Sequence, residues 1–305
     1  MNPIPAVATD LVTVGGYRLG WAGVRALPER AAYGLFDRLA DASVVRGGKG
    51  IDRLRANYAR VRPELSPAEL DDLVREGMRA YLRYYCEAFR LPTLSRAAVA
   101  ARVRVEGDGP VRERLAAGRP VVCFLGHMGN WDLAGAWCSA ELGRVVTVAE
   151  RLKPEAVFEE FLEFRTSLGM TIIPLATDSF ARLRTETAGP VVVPLLADRD
   201  LTGGGLSVDF CGHEARMAPG PAALALATRS ALHPVSIRHE RRGSGWGIVI
   251  TFHDEVAAPV SGATRAKTQA MTGECARVLG DAVTRHTSDW HMLQRVFVAD
   301  LQERG

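Results

Sequence analysis

Two uninterrupted apolar runs, VVCFL at 121–125 and PVVVPLLA at 190–197, constrain the fold of this chain more than any other feature. A strand wetted on one face alternates apolar and polar residues. A run without alternation suits a strand covered on both faces, as in a parallel sheet. From about residue 100 such strands alternate with helical patterns. VRV and VVCFL are followed by RVVTVAE (144–150), TIIPL (171–175), PVVVPLLA, LHPVSIRHE and GIVITFH. Between them lie PEAVFEEFLEFRTSLG, SFARLRTETA and PGPAALALATRS, the last with proline near its first turn, and a long helix closes the series over 263–286. This order predicts an α/β fold with a central mixed, largely parallel sheet flanked by helices on both faces.

Residues 8–90 read as helices instead, among them the amphipathic PAELDDLVREGMRAYLRYYCEAFRL at 67–91. The whole chain, 1–305, is expected to form a single domain, with 1–95 mainly helical and 96–305 as the α/β core. The first helix, ATDLVTVGGYRLGWAGVRALP, carries Leu11, Val14, Tyr17, Leu19, Trp21 and Val24, with charge only at Asp10, Arg18 and Arg25. We expect its inner face to be buried and the rest to lie in a lipid headgroup region, with Trp and Arg at the boundary. Residues 1–64 hold ten Lys or Arg against six Asp or Glu, without interleaved aromatics. That bias suits an anionic membrane surface, or simply a solvated helical surface, better than a nucleic acid groove. No stretch approaches the roughly 20 apolar residues of a membrane span, and MNPIPAVATD lacks the basic start of a signal peptide. Five cysteines without a C-x-x-C pair suit a reduced, cytosolic compartment.

In sheets of this kind ligands bind outside the carboxyl ends of strands. Two polar clusters fall there: GHMGNWD after VVCFL, and ADRDLTGGG after PVVVPLLA, which brings Asp198, Arg199 and Asp200. A turn needs glycine, but it does not need His127. A neutral imidazole can take a proton from an alcohol near neutral pH, and does so better when a carboxylate holds its other ring nitrogen. Residues five apart share no helical face. His127 therefore precedes the helix, Asp132 occupies its first turn near the positive end of the dipole, and Asn130 is a candidate cap. The chain has no G-x-S-x-G, which argues against an ordinary serine hydrolase, and no phosphate-binding glycine loop. His213-Glu214 and His239-Glu240 begin like H-E-x-x-H, lack the second histidine and read as surface pairs. A metal shared by His127, Asp132 and the Asp198/Asp200 pair is a minor alternative.

GHMGNWDLAG contains H-x-x-x-x-D and resembles the signature of the glycerolipid and lipid A acyltransferases. The likeness extends through TVAERLKPEAVFEEFLEFRTSLGM, LLADRDLTGGGLSVDFCG, ARMAPGPAALA and SDWHMLQ. Together these blocks resemble the actinobacterial phosphatidylinositol mannoside acyltransferases, relatives of the lipid A late acyltransferases. The resemblance implies transfer of a fatty acyl chain from acyl-CoA, such as palmitoyl-CoA, to a mannose hydroxyl of phosphatidylinositol mannosides. The protein would then be a peripheral enzyme of cell-envelope glycolipid synthesis, acting at the cytoplasmic face of the membrane. It implies no metal and no cofactor besides the acyl-CoA co-substrate, and no nucleic acid. His127 matches the catalytic histidine and Asp132 the motif aspartate; Glu150 and Arg165 match positions of the same blocks. Asp198 stands where the family pattern has glutamate, so the carboxylate partner of His127 is Asp198 or Asp132. Backbone N–H groups of Gly126 to Asn130 are candidates for the oxyanion, and Arg165, Arg199 and His291 for phosphate or sugar. The alternatives are an acyltransferase with another acceptor, a lysolipid or lipid A type sugar, and a non-catalytic lipid-binding protein.

Overall fold

The fold was taken from a computed structural model, which describes residues 20–151, 155–200, 203–243 and 245–301. Its centre is a seven-stranded sheet. The strands are β1 (Val103–Glu106), β2 (Val121–Leu125), β3 (Val145–Ala149), β4 (Met170–Pro174) and β5 (Val192–Leu196), with the antiparallel pair β8 (Ala231–Arg242) and β9 (Gly245–Phe252). Their order across the sheet is β1-β9-β8-β2-β5-β3-β4, and every pairing but β8–β9 is parallel. The mixed, mostly parallel sheet is thus as expected. The strands β6 (Leu206–Phe210) and β7 (His213–Met217) form a separate hairpin that the sequence reading passed over. SVDFCGHEARM mixes charges into the alternation and has no continuous apolar run to betray it.

β2 explains why its sequence does not alternate. All five of its residues are buried. Successive side chains point to opposite faces, so Val122 and Phe124 enter one core while Val121, Cys123 and Leu125 enter another. The first core is closed by α9 (Gly220–Thr228) and α10 (Thr264–Arg285), with residues such as Leu224, Cys275 and Leu279. The second is closed by α4 (Arg96–Arg102), α5 (Gly109–Ala116), α6 (Trp131–Glu141) and α7 (Glu155–Ser167), with Val99, Leu115, Leu133, Trp137 and Phe164. A further helix, α8 (Ser179–Glu186), precedes β5.

Among the described residues, α1 (Glu29–Arg46), α2 (Lys49–Val61) and α3 (Pro67–Arg90) make up most of the N-terminal part. α3 starts at a capping box, with Ser66 accepting from the Glu69 N–H and Glu69 accepting from the Ser66 N–H. α2 and α3 approach closely at Gly77, where an added Cβ would lie 2.7 Å from Tyr58 Cε2. That approach lets the Tyr58 hydroxyl donate to the Trp290 carbonyl at 2.9 Å. One residue earlier, Asn57 donates to the carbonyls of Met292 and Gln294. The N-terminal helices therefore clamp the segment that follows α10.

Of the helix expected to touch lipid, Leu11, Val14, Tyr17, Arg18 and Leu19 lie outside the described residues. A helical stretch over 20–26 is described, and in it the Trp21 ring is half-buried. That ring packs on Phe89, Phe161 and Phe164 and carries Arg25 at 5.7 Å, and Val24 is buried. No described helix is long and apolar enough to cross a membrane. We predict that Gly77→Ala lowers stability by about 1–3 kcal/mol, because the Tyr58 ring must move to admit the methyl group. Urea denaturation would measure it; an unchanged midpoint would contradict the close packing.

Candidate active site

β2 and β5 are neighbours in register, Leu125 opposite Leu196, so the chain leaves both carboxyl ends side by side. The register continues one step as Ala197 N–H donates to the Leu125 carbonyl at 2.8 Å. His127 and Asp198, each two residues past its strand, are thereby set together. His127 Nδ1 lies 2.6 Å from Asp198 Oδ1. Asp198 is fully buried, and its Oδ2 accepts from the His127 N–H at 2.8 Å and from the Trp290 indole N–H at 2.9 Å. Burial alone would raise its pKa; the His127 ring and these donors outweigh that and hold it below the usual carboxylate range. Gly126 leaves room for the arrangement, since a Cβ there would meet Leu279 at 3.0 Å and Asp198 Oδ2 at 3.2 Å.

Asp132 is turned away from the imidazole. It accepts from Arg165 Nε at 2.7 Å and from the Tyr84 hydroxyl at 2.7 Å. Burial would lower the pKa of Arg165, but the Asp132 charge raises it, so this guanidinium stays a permanent counter-ion. Asn130 caps α6 as expected, its Oδ1 accepting from the Leu133 N–H at 2.9 Å, while its Nδ2 donates to Glu87 at 2.7 Å. Gly129, at φ +57, lies against β8; a Cβ would come within 2.6 Å of the Ile237 carbonyl oxygen. Neither that backbone conformation nor that gap admits a side chain easily.

The expected oxyanion donors are mostly engaged within the turn. The N–H of His127 serves Asp198, that of Met128 the Gly126 carbonyl at 2.7 Å, and that of Gly129 the Asp289 carbonyl at 2.9 Å. The first turn of α6 remains, because Trp131 and Asp132 have no acceptor earlier in the helix. Glu150, past the end of β3, pairs with Arg199 at 2.6 Å, and Arg199 also donates to Gln294. His291 is buried, with neither ring nitrogen hydrogen-bonded, and its N–H donates to the His127 carbonyl at 2.7 Å. Burial and the nearby His239 push its pKa down to about 3, so it is neutral.

His239 was read from the sequence as half of a surface pair, and the structure corrects that. It is buried, whereas His213 is exposed as expected. Burial opposes its charge, yet Glu87 and Asp289 outweigh this and raise its pKa to about 9. The reading failed because RHERR looks like a solvated strand; the carboxylates that bury the imidazole lie far away in sequence. Among the described residues, His239, Asp289 and His291 are the one group close enough to share a metal ion, with ligand atoms within 4.8 Å of one another. The ring nitrogens of His239 already face Asp289 at 2.7 Å and Glu87 at 3.5 Å, an arrangement for protons rather than for an ion.

Beneath α6 runs a narrow apolar cavity of about 80 Å³. Leu125, Leu196, Val235 and Ile237 from the sheet and Ala134, Gly135 and Cys138 from α6 line it, and it reaches Trp131, whose ring is 5.7 Å from that of His127. A second, more polar hollow between residues 253–259 and α10 shares no lining residue with it.

The sequence profile of the bacterial lipid A biosynthesis acyltransferases matches residues 11–298. The chain belongs to this family. It is 39% identical over 305 residues to the phosphatidylinositol mannoside acyltransferase of Mycolicibacterium smegmatis, covering 99% of this chain and 95% of that protein. It is 38% identical over 300 residues to the phosphatidylinositol mannoside acyltransferase of Mycobacterium tuberculosis, covering 97% and 92%.

Two predictions follow from the buried charges. Asp132→Ala would leave the largely buried Arg165 without its counter-ion and is expected to cost roughly 3–5 kcal/mol, measured by chemical denaturation; a change below about 1 kcal/mol would make the pair an exposed one. The two buried histidines should also shape stability against pH. An unfolded histidine titrates near 6.5. His239 binds its proton more tightly when folded, so its contribution is complete below about pH 6.5 and is lost as pH rises towards 9. His291 binds its proton less tightly when folded, so stability falls as pH drops below about 6.5. Unfolding free energies measured from pH 5 to 9 should therefore pass through a maximum near 6.5; a monotonic rise to pH 9 would remove the His239 charge.

Proposed function

We propose that this enzyme transfers a fatty acyl chain from acyl-CoA to a mannose hydroxyl of phosphatidylinositol mannosides. The observation that carries the chemistry is the His127–Asp198 pair. With Nδ1 held by a buried carboxylate, the other ring nitrogen, Nε2, is left as the basic one, and it has no hydrogen bond among the described residues. The side chain keeps 19% of its surface exposed at the carboxyl edge of the sheet. The names of the two mycobacterial relatives support the acceptor.

In this reaction Nε2 takes the proton of the sugar hydroxyl as its oxygen attacks the thioester carbonyl. The N–H groups in the first turn of α6, at the positive end of its dipole, face the developing oxyanion. Collapse of the tetrahedral intermediate breaks the C–S bond, and the imidazolium returns its proton to the departing CoA thiolate. No acyl-enzyme forms, in keeping with the lack of a nucleophilic serine motif. Asp198 orients the ring and stabilises its charged form without itself becoming protonated. Asp132, tied to Arg165 and Tyr84, holds the start of α6. The acyl chain occupies the cavity under α6, where each buried methylene contributes about 0.8 kcal/mol. Arg199 and Glu150 stand at the rim, where sugar or phosphate would arrive. Because the acceptor's own acyl chains remain in the bilayer, the enzyme works at a membrane surface, on the cytoplasmic face where acyl-CoA is available.

The test is incubation with labelled palmitoyl-CoA and vesicles carrying phosphatidylinositol mannosides, lysolipids or a lipid A type sugar, followed by product identification. Acyl transfer to the mannosides is expected, and a folded His127→Ala protein should lose about a hundred- to ten-thousand-fold in rate. Transfer only to another acceptor would reassign the substrate, and wild-type turnover by His127→Ala would remove the general base.

A further inference from the structure

The buried imidazole of His239 takes no part in the reaction above, yet it touches what holds the catalytic turn. β8 outruns β2: Val235 is opposite Leu125, the last residue of β2, and the strand continues to Arg242. His239 therefore stands in an overhang beside the turn 127–130. Its Nδ1 is 2.7 Å from Asp289 Oδ1, and its backbone N–H donates to the same oxygen at 3.2 Å. Its Nε2 makes no hydrogen bond and faces Glu87 Oε2 at the ion-pair distance of 3.5 Å. Each of those residues then reaches the turn. Glu87 accepts from the Asn130 side chain at 2.7 Å, and the Asp289 carbonyl accepts from the Gly129 N–H at 2.9 Å. From Asp289 the chain runs on through Trp290, whose indole serves Asp198, to His291, whose N–H meets the His127 carbonyl.

Two carboxylates buried this close cannot both stay ionised without a cation between them. A neutral imidazole has one N–H and would satisfy one carboxylate; an imidazolium offers a donor to each. The other charged or titratable groups facing the cluster do not replace it. The Tyr33 hydroxyl donates to Glu87 Oε1 at 3.3 Å but brings no positive charge. Arg83 of α3 is stacked on Trp246, 3.5 Å from the ring centroid, and contributes only a more distant positive charge, while His291 is neutral. We infer that His239, as an imidazolium joining Glu87 to Asp289, is a positioning residue that sets the turn in which His127 meets Asp198. The inference rests on His127 being the general base.

The experiment uses the full chain and two readouts. The first is the pH profile of acyl transfer from palmitoyl-CoA to phosphatidylinositol mannosides in vesicles. The wild type should lose kcat on an alkaline limb near pH 9, as His239 gives up its proton. His239→Gln should lower kcat near neutral pH by roughly tenfold to a hundredfold, the scale of a small misplacement at a reacting centre, with KM unchanged and the alkaline limb gone. The second is nitrogen NMR of the labelled histidines, which needs no substrate and so stands even if the wild type acylates none of the acceptors. His127 should show Nδ1 protonated and hydrogen-bonded in the wild type and a mixture of tautomers in His239→Gln. Should that variant not fold, Glu87→Gln keeps an oxygen acceptor for Asn130 and leaves His239 one carboxylate. It should move the alkaline limb to lower pH, and above that limb His127 should show the tautomer mixture expected of His239→Gln. An unmoved alkaline limb, or His127 signals like the wild type in a folded variant, overturns the proposal.

Discussion

The carboxylate of Asp198 lies where no water reaches it. Such a group is tolerated only when donors replace its hydration. Here the donors are the His127 ring, the His127 backbone and the Trp290 indole, and they come from two places far apart in the chain. The requirement reaches outward. Trp290 must be placed by Tyr58 on α2, Tyr58 needs Gly77 on α3, and the turn at Gly129 lies tight against the backbone of β8 at Ile237. Much of the packing between the N-terminal helices and the sheet is thus a condition for one buried negative charge.

Two aspartates near the turn show how neighbours divide the same chemistry. Asp132 is paired with a guanidinium, which never releases its proton at any pH the fold survives. That pair can anchor a helix but cannot turn over. Asp198 is paired with an imidazole, a group that can both accept and give up a proton. The motif aspartate is therefore a strut for the start of α6, and in the proposed reaction the aspartate that follows β5 is the one coupled to proton transfer.

Much of this was readable in the sequence because strands buried on both faces leave unbroken apolar runs. VVCFL and PVVVPLLA gave the two middle strands, and their carboxyl ends gave His127 and Asp198. The spacing of His127 and Asp132 correctly denied them a shared helical face, but the choice between Asp132 and Asp198 depended on the β2–β5 register, which no local pattern carries. His239 was misread for the opposite reason: it lies among charges in RHERR, and only the topology brings Glu87 and Asp289 to it. The β6–β7 hairpin was missed because its strands are short and half polar.

The backbone bridge between Met128 and Trp290 joins residues that are made far apart in time. During synthesis the sheet can assemble from β1 to β9 while residues 289–291 are still to come. Until they arrive, the Asp198 carboxylate lacks its indole donor, and the carbonyl of His127 and the N–H of Gly129 lack their partners. A chain on the ribosome would therefore own its histidine long before it owned a working site. Residues 289–291 act as a keystone for the turn that carries His127.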